Sequence, residues 1–299
     1  MDKNSQLYKM RQKYISHPLQ GFGAYLVYWI FALMPVDMAS AVGGWLMRTL
    51  GPKVGQTKKA RNNLVAAFPE KSPEEIEQII VGMWNNLGRS AAEIPHLHKM
   101  RPGGPRIEIV GIENGLATKT DDKPGLFFSG HIGNWEATMC IAEVLDMDMM
   151  SVYRAPDNPW VEGLFMRARK TFKGKLVKKG PEGARKLTRY LKDGGHACML
   201  VDQKMTDGIA VPFFGRDAMT APALAQFALK YDAPIIPVRS ERLNGAHFRV
   251  TFYPPLAVTK TGDRRADILA IMTDVNATME HWIRERPEQW LWLHRRWPK

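Results

Sequence analysis

The stretch GLFFSGHIGNWE, residues 125–136, decides how the rest of the chain is interpreted. Its first four residues form a short apolar run of the kind that predicts a buried strand. The run stops at Ser129 and Gly130, and His131 then follows, with Glu136 five residues later. Such a pair fits either a catalytic base with its carboxylate partner or a strand end that carries a hydrogen-bonded structural histidine.

Position separates these two interpretations better than spacing does. With eight histidines and 30 acidic residues, about one histidine–acid pair at this spacing is expected by chance. His131, however, lies just beyond the carboxyl end of a predicted strand, where α/β sheets bind ligands. Gly133 permits a tight turn and a close backbone approach by a ligand, and Asn134 suits a helix N-cap. This placement puts Glu136 in the first helical turn, where its carboxylate could fold back to orient the His131 ring. A hydrogen-bonded structural histidine stays open as the alternative at this point.

Short apolar runs alternate with helical patterns from residue 107 onward. This alternation predicts an α/β fold with a mixed, largely parallel central sheet flanked by helices. The predicted strands are 107–110, 125–128, 149–153, 197–201, 235–238 and 248–252. The predicted helices are 134–145, 159–172, 182–191, 221–230 and 265–284, together with an earlier one that starts at Ser72 as N-cap.

The N-terminal segment is predicted to associate with a membrane. Residues 21–34 carry no charge, and a second apolar stretch, 38–47, follows Pro35. The first stretch is shorter than the roughly 20 residues that a spanning helix needs, so insertion into one leaflet is favoured over a span, and a buried helix pair is the alternative. Its aromatic residues suit a membrane interface. We therefore expect two domains, a membrane-associated helical segment at 1–55 and a catalytic domain at 56–299.

Composition limits the partners and the chemistry. The net charge of +12 attracts nucleic acid, anionic lipids or phosphorylated substrates. The two cysteines, Cys140 and Cys198, both lie in apolar stretches, which predicts core thiols without a disulfide framework. The sequence has no histidine–cysteine cluster for a metal and no glycine-rich cofactor loop, so we expect neither a metal nor a cofactor.

Several further motifs follow His131 in one order along the chain. They are VYR at 152–154, VDQ at 201–203, VPFFG at 211–215, PIIPV at 234–238 and PEQWLWLHRRW at 287–297. The ordered series resembles the lipid A biosynthesis acyltransferases, the late lauroyl and myristoyl transferases within the His-x4-Asp/Glu glycerolipid acyltransferase group. Lys204 departs from the pattern, because many relatives have a second acid there, and this leaves the acceptor lipid open.

The resemblance implies a reaction, a location and a set of site residues. It implies acyl transfer from an acyl thioester, usually acyl carrier protein, to a hydroxyl of a phosphorylated lipid A precursor at the cytoplasmic face of the inner membrane. His131 would be the general base, oriented by Glu136. Arg154 would bind either the oxyanion or a substrate phosphate. The full set of residues expected to bind substrate is Gly133, Asn134, Arg154, Asp202 and Gln203.

Two alternatives stay open from sequence. A related acyltransferase could act on another glycolipid or an aminolipid. A basic nucleic-acid-binding protein would explain the charge, but it explains neither the apolar N-terminus nor the ordered motifs, so nucleic acid is not an expected partner. The expected partners are acyl carrier protein, the glycolipid acceptor and anionic membrane lipids. The basic stretch 167–179 is either a dock for such acidic partners or a solvated face.

Overall fold

The computed structural model describes residues 6–297; residues 1–5 and 298–299, the outer ends of the two predicted domains, lie outside it. Its strands are β1 (Ile107–Val110), β2 (Leu126–Ser129), β3 (Met149–Tyr153), β4 (Lys175–Lys178), β5 (His196–Leu200), β6 (Ile209–Phe213), β7 (Arg216–Thr220), β8 (Ile235–Asn244) and β9 (His247–Phe252). Its α-helices are α1 (Gln6–Arg11), α2 (His17–Ala32), α3 (Val36–Leu50), α4 (Thr57–Ala67), α5 (Pro73–Glu93), α6 (Ile112–Leu116), α7 (Ile141–Val144), α8 (Pro159–Arg169), α9 (Pro181–Lys192), α10 (Ala223–Tyr231) and α11 (Arg264–Glu285).

A seven-stranded sheet organises the chain, in the order β1-β9-β8-β2-β5-β3-β4. Strands β8, β2, β5, β3 and β4 run parallel, whereas β9 is antiparallel to β8 and β1 is parallel to β9. Strands β6 and β7 form a separate antiparallel hairpin. The expected mixed, largely parallel sheet flanked by helices is therefore confirmed.

Strand β2 lies at the centre of this sheet and is buried on both faces. Phe127 belongs to one apolar cluster, whereas Leu126 and Phe128 belong to the cluster on the other face. This double burial explains why β2 is apolar at successive positions instead of alternating. Its last residue, Ser129, pairs with Leu200 of β5, so the carboxyl ends of β2 and β5 lie side by side.

Helix α5 connects the N-terminal helices to the sheet. It begins at the predicted capping box, in which Ser72 and Glu75 bond each other's backbone N–H groups. Helix α3 packs closely against it, because Gly43 and Gly88 lie face to face and a Cβ on either would overlap the other's backbone. The two predicted apolar stretches are helical, as α2 and α3. No helix within residues 6–297 is long and apolar enough to cross a membrane. Membrane association and the division at residue 55 stay predictions.

The glycine contact between α3 and α5 yields a stability test. A Cβ at Gly88 would lie 2.2 Å from the Gly43 carbonyl oxygen and 2.6 Å from Met47 Cβ. We expect Gly88→Ala to lower the free energy of unfolding by about 1–3 kcal/mol, the usual cost of overpacking. Gly23→Ala in α2 is the matched control: it has open space within 4 Å and should gain up to about 1 kcal/mol from helix propensity. Thermal unfolding of both variants checks this, and equal midpoints would contradict it.

Candidate active site

The histidine after β2 meets an aspartate after β5. His131 and Asp202 follow the carboxyl ends of neighbouring parallel strands, which places them at one edge of the sheet. His131 Nδ1 lies 2.8 Å from Asp202 Oδ1, and the His131 backbone N–H donates to Asp202 Oδ2 at 2.7 Å. The Asp202 side chain is 1% exposed and that of His131 is 13% exposed. The carboxylate is thus sealed in the protein, while part of the imidazole remains reachable.

Asp202 is ionised in this setting. Burial by itself raises the pKa of the Asp202 carboxyl, but the charge of a protonated His131 and hydrogen bonds from His131 and Trp290 hold that pKa well below its usual value. An ionised carboxylate only accepts hydrogen bonds. A neutral His131 therefore carries its proton on Nδ1, and Nε2 presents a lone pair. This is the tautomer that a general base needs.

Gln203 and a second histidine face that lone pair. The amide nitrogen of Gln203 lies 3.2 Å from His131 Nε2 and 3.3 Å from His294 Nε2. The two imidazole rings stand 5.2 Å apart between centroids, at 63°. Burial, and then the neighbouring His131, lower the pKa of His294 to about 4. His294 is therefore neutral near pH 7.

The C-terminal segment brings His294 to the site. It runs antiparallel beside the residues that follow β2: Ile132 and Trp290 form a bridge, and Leu291 N–H donates to the His131 carbonyl at 3.1 Å. Trp290 also donates its indole N–H to Asp202 Oδ2 at 2.8 Å. Trp290, Trp292 and Trp297 are all buried. The tryptophan-rich motif is therefore part of the core and of the site wall.

Hydrogen bonds and close backbone packing at Gly133 and Asn134 fix the turn that carries His131. Gly133 adopts a φ of +59°, and a Cβ there would lie 2.6 Å from the Ser240 carbonyl oxygen. Its own carbonyl accepts from Asn86 Nδ2 at 2.8 Å, and its N–H donates to the Gln289 carbonyl at 3.0 Å. Asn134 is fully buried; its amide oxygen caps Glu136 N–H and its amide nitrogen donates to Glu93. Both were expected to bind substrate, but protein partners already occupy the polar groups of these two residues.

The expected contact between Glu136 and His131 is not formed. Glu136 accepts two hydrogen bonds from Arg169 of α8, from Nε at 2.8 Å and from Nη2 at 2.6 Å. Both side chains are almost buried, so the guanidinium needs an anion and the carboxylate needs a cation. The Nδ1 atom of His131, meanwhile, is already bonded to Asp202. Asp202 was predicted to touch substrate; in the structure it takes the partner position that was expected for Glu136.

Arg154 stands at the carboxyl end of β3, exposed at the edge of the same site. Burial and His131 dominate the low pKa of His294, and the charge of Arg154 adds to them. Within residues 6–297 Arg154 makes no ion pair, so its guanidinium is open to a ligand. The basic stretch 167–179 differs, because four of its cations are paired with acids: Arg169, Lys173, Lys175 and Lys178.

Cysteine chemistry is not part of this site. Cys140 and Cys198 are buried and unpaired as disulfides. Burial raises the pKa of both thiols to about 12, so neither forms a thiolate at neutral pH.

Sequence reasoning did not assign roles to Trp290 or His294. Both lie in the motif PEQWLWLHRRW, which was singled out for its order in the chain and not for its position in space. The sequence does contain a signal that could have identified them. His294 lies between Trp292 and Trp297, and tryptophans are highly buried on average, so a histidine between them is more easily enclosed in the fold than exposed to solvent.

Comparison with known proteins identifies the class. Residues 9–299 match the family described as bacterial lipid A biosynthesis acyltransferase. The chain is 24% identical over 277 residues to a lipid A biosynthesis acyltransferase of Haemophilus influenzae, covering 88% of this chain and 83% of that one. It is 22% identical over 282 residues to the lipid A biosynthesis palmitoleoyltransferase of Escherichia coli, covering 90% of this chain and 88% of that one. It is 23% identical over 270 residues to the lipid A biosynthesis myristoyltransferase of the same organism, covering 88% of this chain and 81% of that one. The chain belongs to this family and is an acyltransferase.

The depressed pKa of Asp202 predicts a pH-dependent stability. A group whose pKa is lower in the folded state stabilises the fold above its unfolded pKa, about 3.9 for aspartate, and loses that contribution as pH falls toward the folded value. We expect Asp202→Asn to lower the free energy of unfolding by about 1–3 kcal/mol at pH 7. The difference from the wild type should shrink as pH drops below about 4. Urea unfolding from pH 7 to pH 3 measures it, and a pH-independent difference would contradict the ionised state.

Proposed function

We propose that this chain transfers a fatty acyl chain from acyl carrier protein, as an acyl thioester, to a hydroxyl of a lipid A precursor. The observation that carries the proposal is His131, with Nδ1 on a buried carboxylate and its Nε2 lone pair directed into the site at the carboxyl ends of the strands. Family membership supports acyl transfer in lipid A biosynthesis. The relatives named as palmitoleoyl and myristoyl transferases support a fatty acyl group as the one that moves.

The chemistry needs a base because a lipid hydroxyl is a poor nucleophile near neutral pH. In the proposed step, His131 Nε2 takes the hydroxyl proton as the oxygen bonds to the thioester carbonyl carbon, whose π electrons move onto the carbonyl oxygen. The tetrahedral intermediate then re-forms the C=O bond and breaks the C–S bond. The departing thiolate takes the proton from the imidazolium. A positioned base of this kind contributes about 10²–10⁴-fold to such a reaction.

Asp202 takes the orienting role in this proposal. Its carboxylate fixes the Nδ1–H tautomer of His131 and stabilises the imidazolium that forms when Nε2 is protonated. Glu136 supports the site without contacting His131. By pairing with Arg169 of α8, it anchors the short 3-10 helix that directly follows the catalytic turn.

Arg154 is proposed to hold a phosphate of the acceptor lipid. It stands at the end of β3 on the same edge as His131, exposed and without an ion pair among residues 6–297. A guanidinium binds phosphate through two parallel hydrogen bonds, which fixes orientation as well as charge. The phosphate would position the acceptor hydroxyl for His131.

A membrane surface is the proposed location, at the cytoplasmic face of the inner membrane. A stripe of apolar side chains on α2 and at its C-cap, Leu33, stands open to solvent: Leu19, Phe22, Leu26, Ile30 and Leu33. Their spacing places them on one helical face. The exposed Trp45 of α3 adds an aromatic of the type found at membrane interfaces. Lysines 53, 58 and 59, next in the chain, suit anionic headgroups.

His131→Ala tests the reaction. We expect the purified variant to lose acyl transfer by at least about 10²-fold because the base is gone. The variant should still unfold cooperatively, at a lower thermal midpoint because Asp202 loses the Nδ1–H donor. The assay follows transfer from lauroyl-, myristoyl- and palmitoyl-acyl carrier protein to a lipid A precursor in mixed micelles. His281→Ala is the control, because this histidine of α11 is exposed and, among residues 6–297, pairs only with Glu285 of its own helix; it should retain activity. An active His131→Ala protein would refute the assignment.

Mass spectrometry of lipids from a strain that lacks the gene identifies the acceptor. Loss of one acyl chain from lipid A supports the proposal. Loss of an acyl chain from another glycolipid or an aminolipid, with lipid A intact, would instead assign the chain to the related activity.

Charge on the apolar stripe tests the membrane surface. We expect Phe22→Glu with Leu26→Glu to weaken binding to vesicles containing phosphatidylglycerol by about 10-fold or more, because two apolar side chains would no longer enter the lipid. Leu269→Glu, at an exposed leucine of α11, adds the same kind of charge elsewhere and should cost much less. Sedimentation with vesicles measures both. Equal binding by the two variants would argue against the stripe.

A further inference from the structure

The amide N–H of Gln203 donates a hydrogen bond to His131 Nε2, whose lone pair the proposed base must use. Because Asp202 only accepts, His131 Nδ1 carries the proton, and the group facing Nε2 must be a donor. The Gln203 nitrogen, 3.2 Å away, supplies it. An amide nitrogen carries two hydrogens, and the second is directed to His294 Nε2, 3.3 Å away. One NH₂ group is therefore shared between two imidazole lone pairs.

His294 is built to accept that second hydrogen and not to exchange protons. Its ring is largely enclosed, and its pKa of about 4 keeps it neutral at the working pH. Its backbone carbonyl accepts from Asn63 Nδ2 of α4 at 2.8 Å, and the same amide holds the Trp292 carbonyl at 2.9 Å. These two bonds anchor the backbone that carries the imidazole. The Gln203 amide, in contrast, is restrained by His294 on one side and faces the reaction centre on the other.

We propose that Gln203 is a catalytic residue whose amide N–H donates to the oxyanion of the tetrahedral intermediate, and that His294 is the positioning residue that orients it. The inference rests on the acyl transfer proposed above. When the acceptor hydroxyl takes the Nε2 lone pair of His131, the hydrogen that Gln203 donated there is released. The oxyanion forms on the same carbon that the attacking oxygen joins, two bonds from that oxygen, within reach of that donor.

The position of the Gln203 amide fits a group that donates to the oxyanion better than one that blocks the acceptor hydroxyl from His131. Donors that stabilise an oxyanion work best when they are oriented before the charge forms, because no reorganisation is then needed. His294 provides that orientation, since its Nε2 holds one hydrogen of the amide and so fixes the amide plane. Arg154 is less suited to this task, because it is exposed and a flexible guanidinium must be ordered first.

Four variants of the full-length protein test the pair by steady-state kinetics with the same acyl-acyl carrier protein and lipid A precursor. Gln203→Leu should lower kcat by about 10²–10³-fold, the usual loss of an oxyanion donor, with KM changed less than about 3-fold. His294→Ala should lower kcat by about 10–100-fold, because the donor remains but is misplaced. The double variant should match Gln203→Leu within about 3-fold. His294→Gln, whose amide oxygen can accept from Gln203, should recover most of the activity.

The outcomes separate this inference from the proposed function. If the wild type transfers no acyl group, or if His131→Ala stays active, the proposed function fails. If wild type and His131→Ala behave as expected while Gln203→Leu keeps or gains activity, Gln203 is at most a barrier and the inference alone is overturned. Multiplicative losses in the double variant, or no rescue by His294→Gln at an unchanged thermal midpoint, would overturn the role of His294.

Discussion

One buried carboxylate joins the parts of the chain that form the site. Asp202 accepts from the backbone N–H and from the ring Nδ1–H of His131, and from the indole N–H of Trp290. These donors come from the end of β2 and from the C-terminal segment, while Asp202 itself follows β5. A buried charge without such donors would cost several kcal/mol. The three segments are therefore held in one arrangement, because separating any of them leaves the charge unsatisfied.

A buried ion pair between Arg242 and Glu93 supports the contact between His131 and Asp202. Arg242 of β8 and Glu93 at the end of α5 are both buried and paired. The same two residues reach the turn that carries His131: Glu93 accepts from Asn134, and Arg242 donates to Asn86, which donates to the Gly133 carbonyl. Removing one partner of such a pair leaves an unpaired charge and costs about 3–5 kcal/mol. The position of His131 thus depends on α5, far from it in sequence, as much as on β2.

The strands that carry the site could be predicted from sequence because each is a run of apolar residues with clear ends. Strand β3 has the predicted bounds, and β2 and β5 differ from prediction by one residue at each end. Strand β4 was missed: it lies at the sheet edge, and of its four residues only Val177 is buried. The β6–β7 hairpin was also missed, because Pro212 lies inside β6 and a proline within an apolar run argues against a strand. The predicted helix at 134–145 begins as the 3-10 helix Trp135–Cys140 and becomes α-helical only at Ile141.

The partner of His131 could not be predicted because it is set by strand order, which the sequence does not contain. Glu136 is five residues from the histidine, and local geometry made it the natural candidate; Asp202 is 71 residues away along the chain. Once β5 lies beside β2, however, the residue just past β5 is nearer to the imidazole than one on the following helix. Glu136 is bound elsewhere, because the buried guanidinium of Arg169 needs its carboxylate. Each acid thus binds the cation that tertiary packing brings to it, and sequence spacing between a histidine and an acid predicts a pair only where both lie on one rigid element.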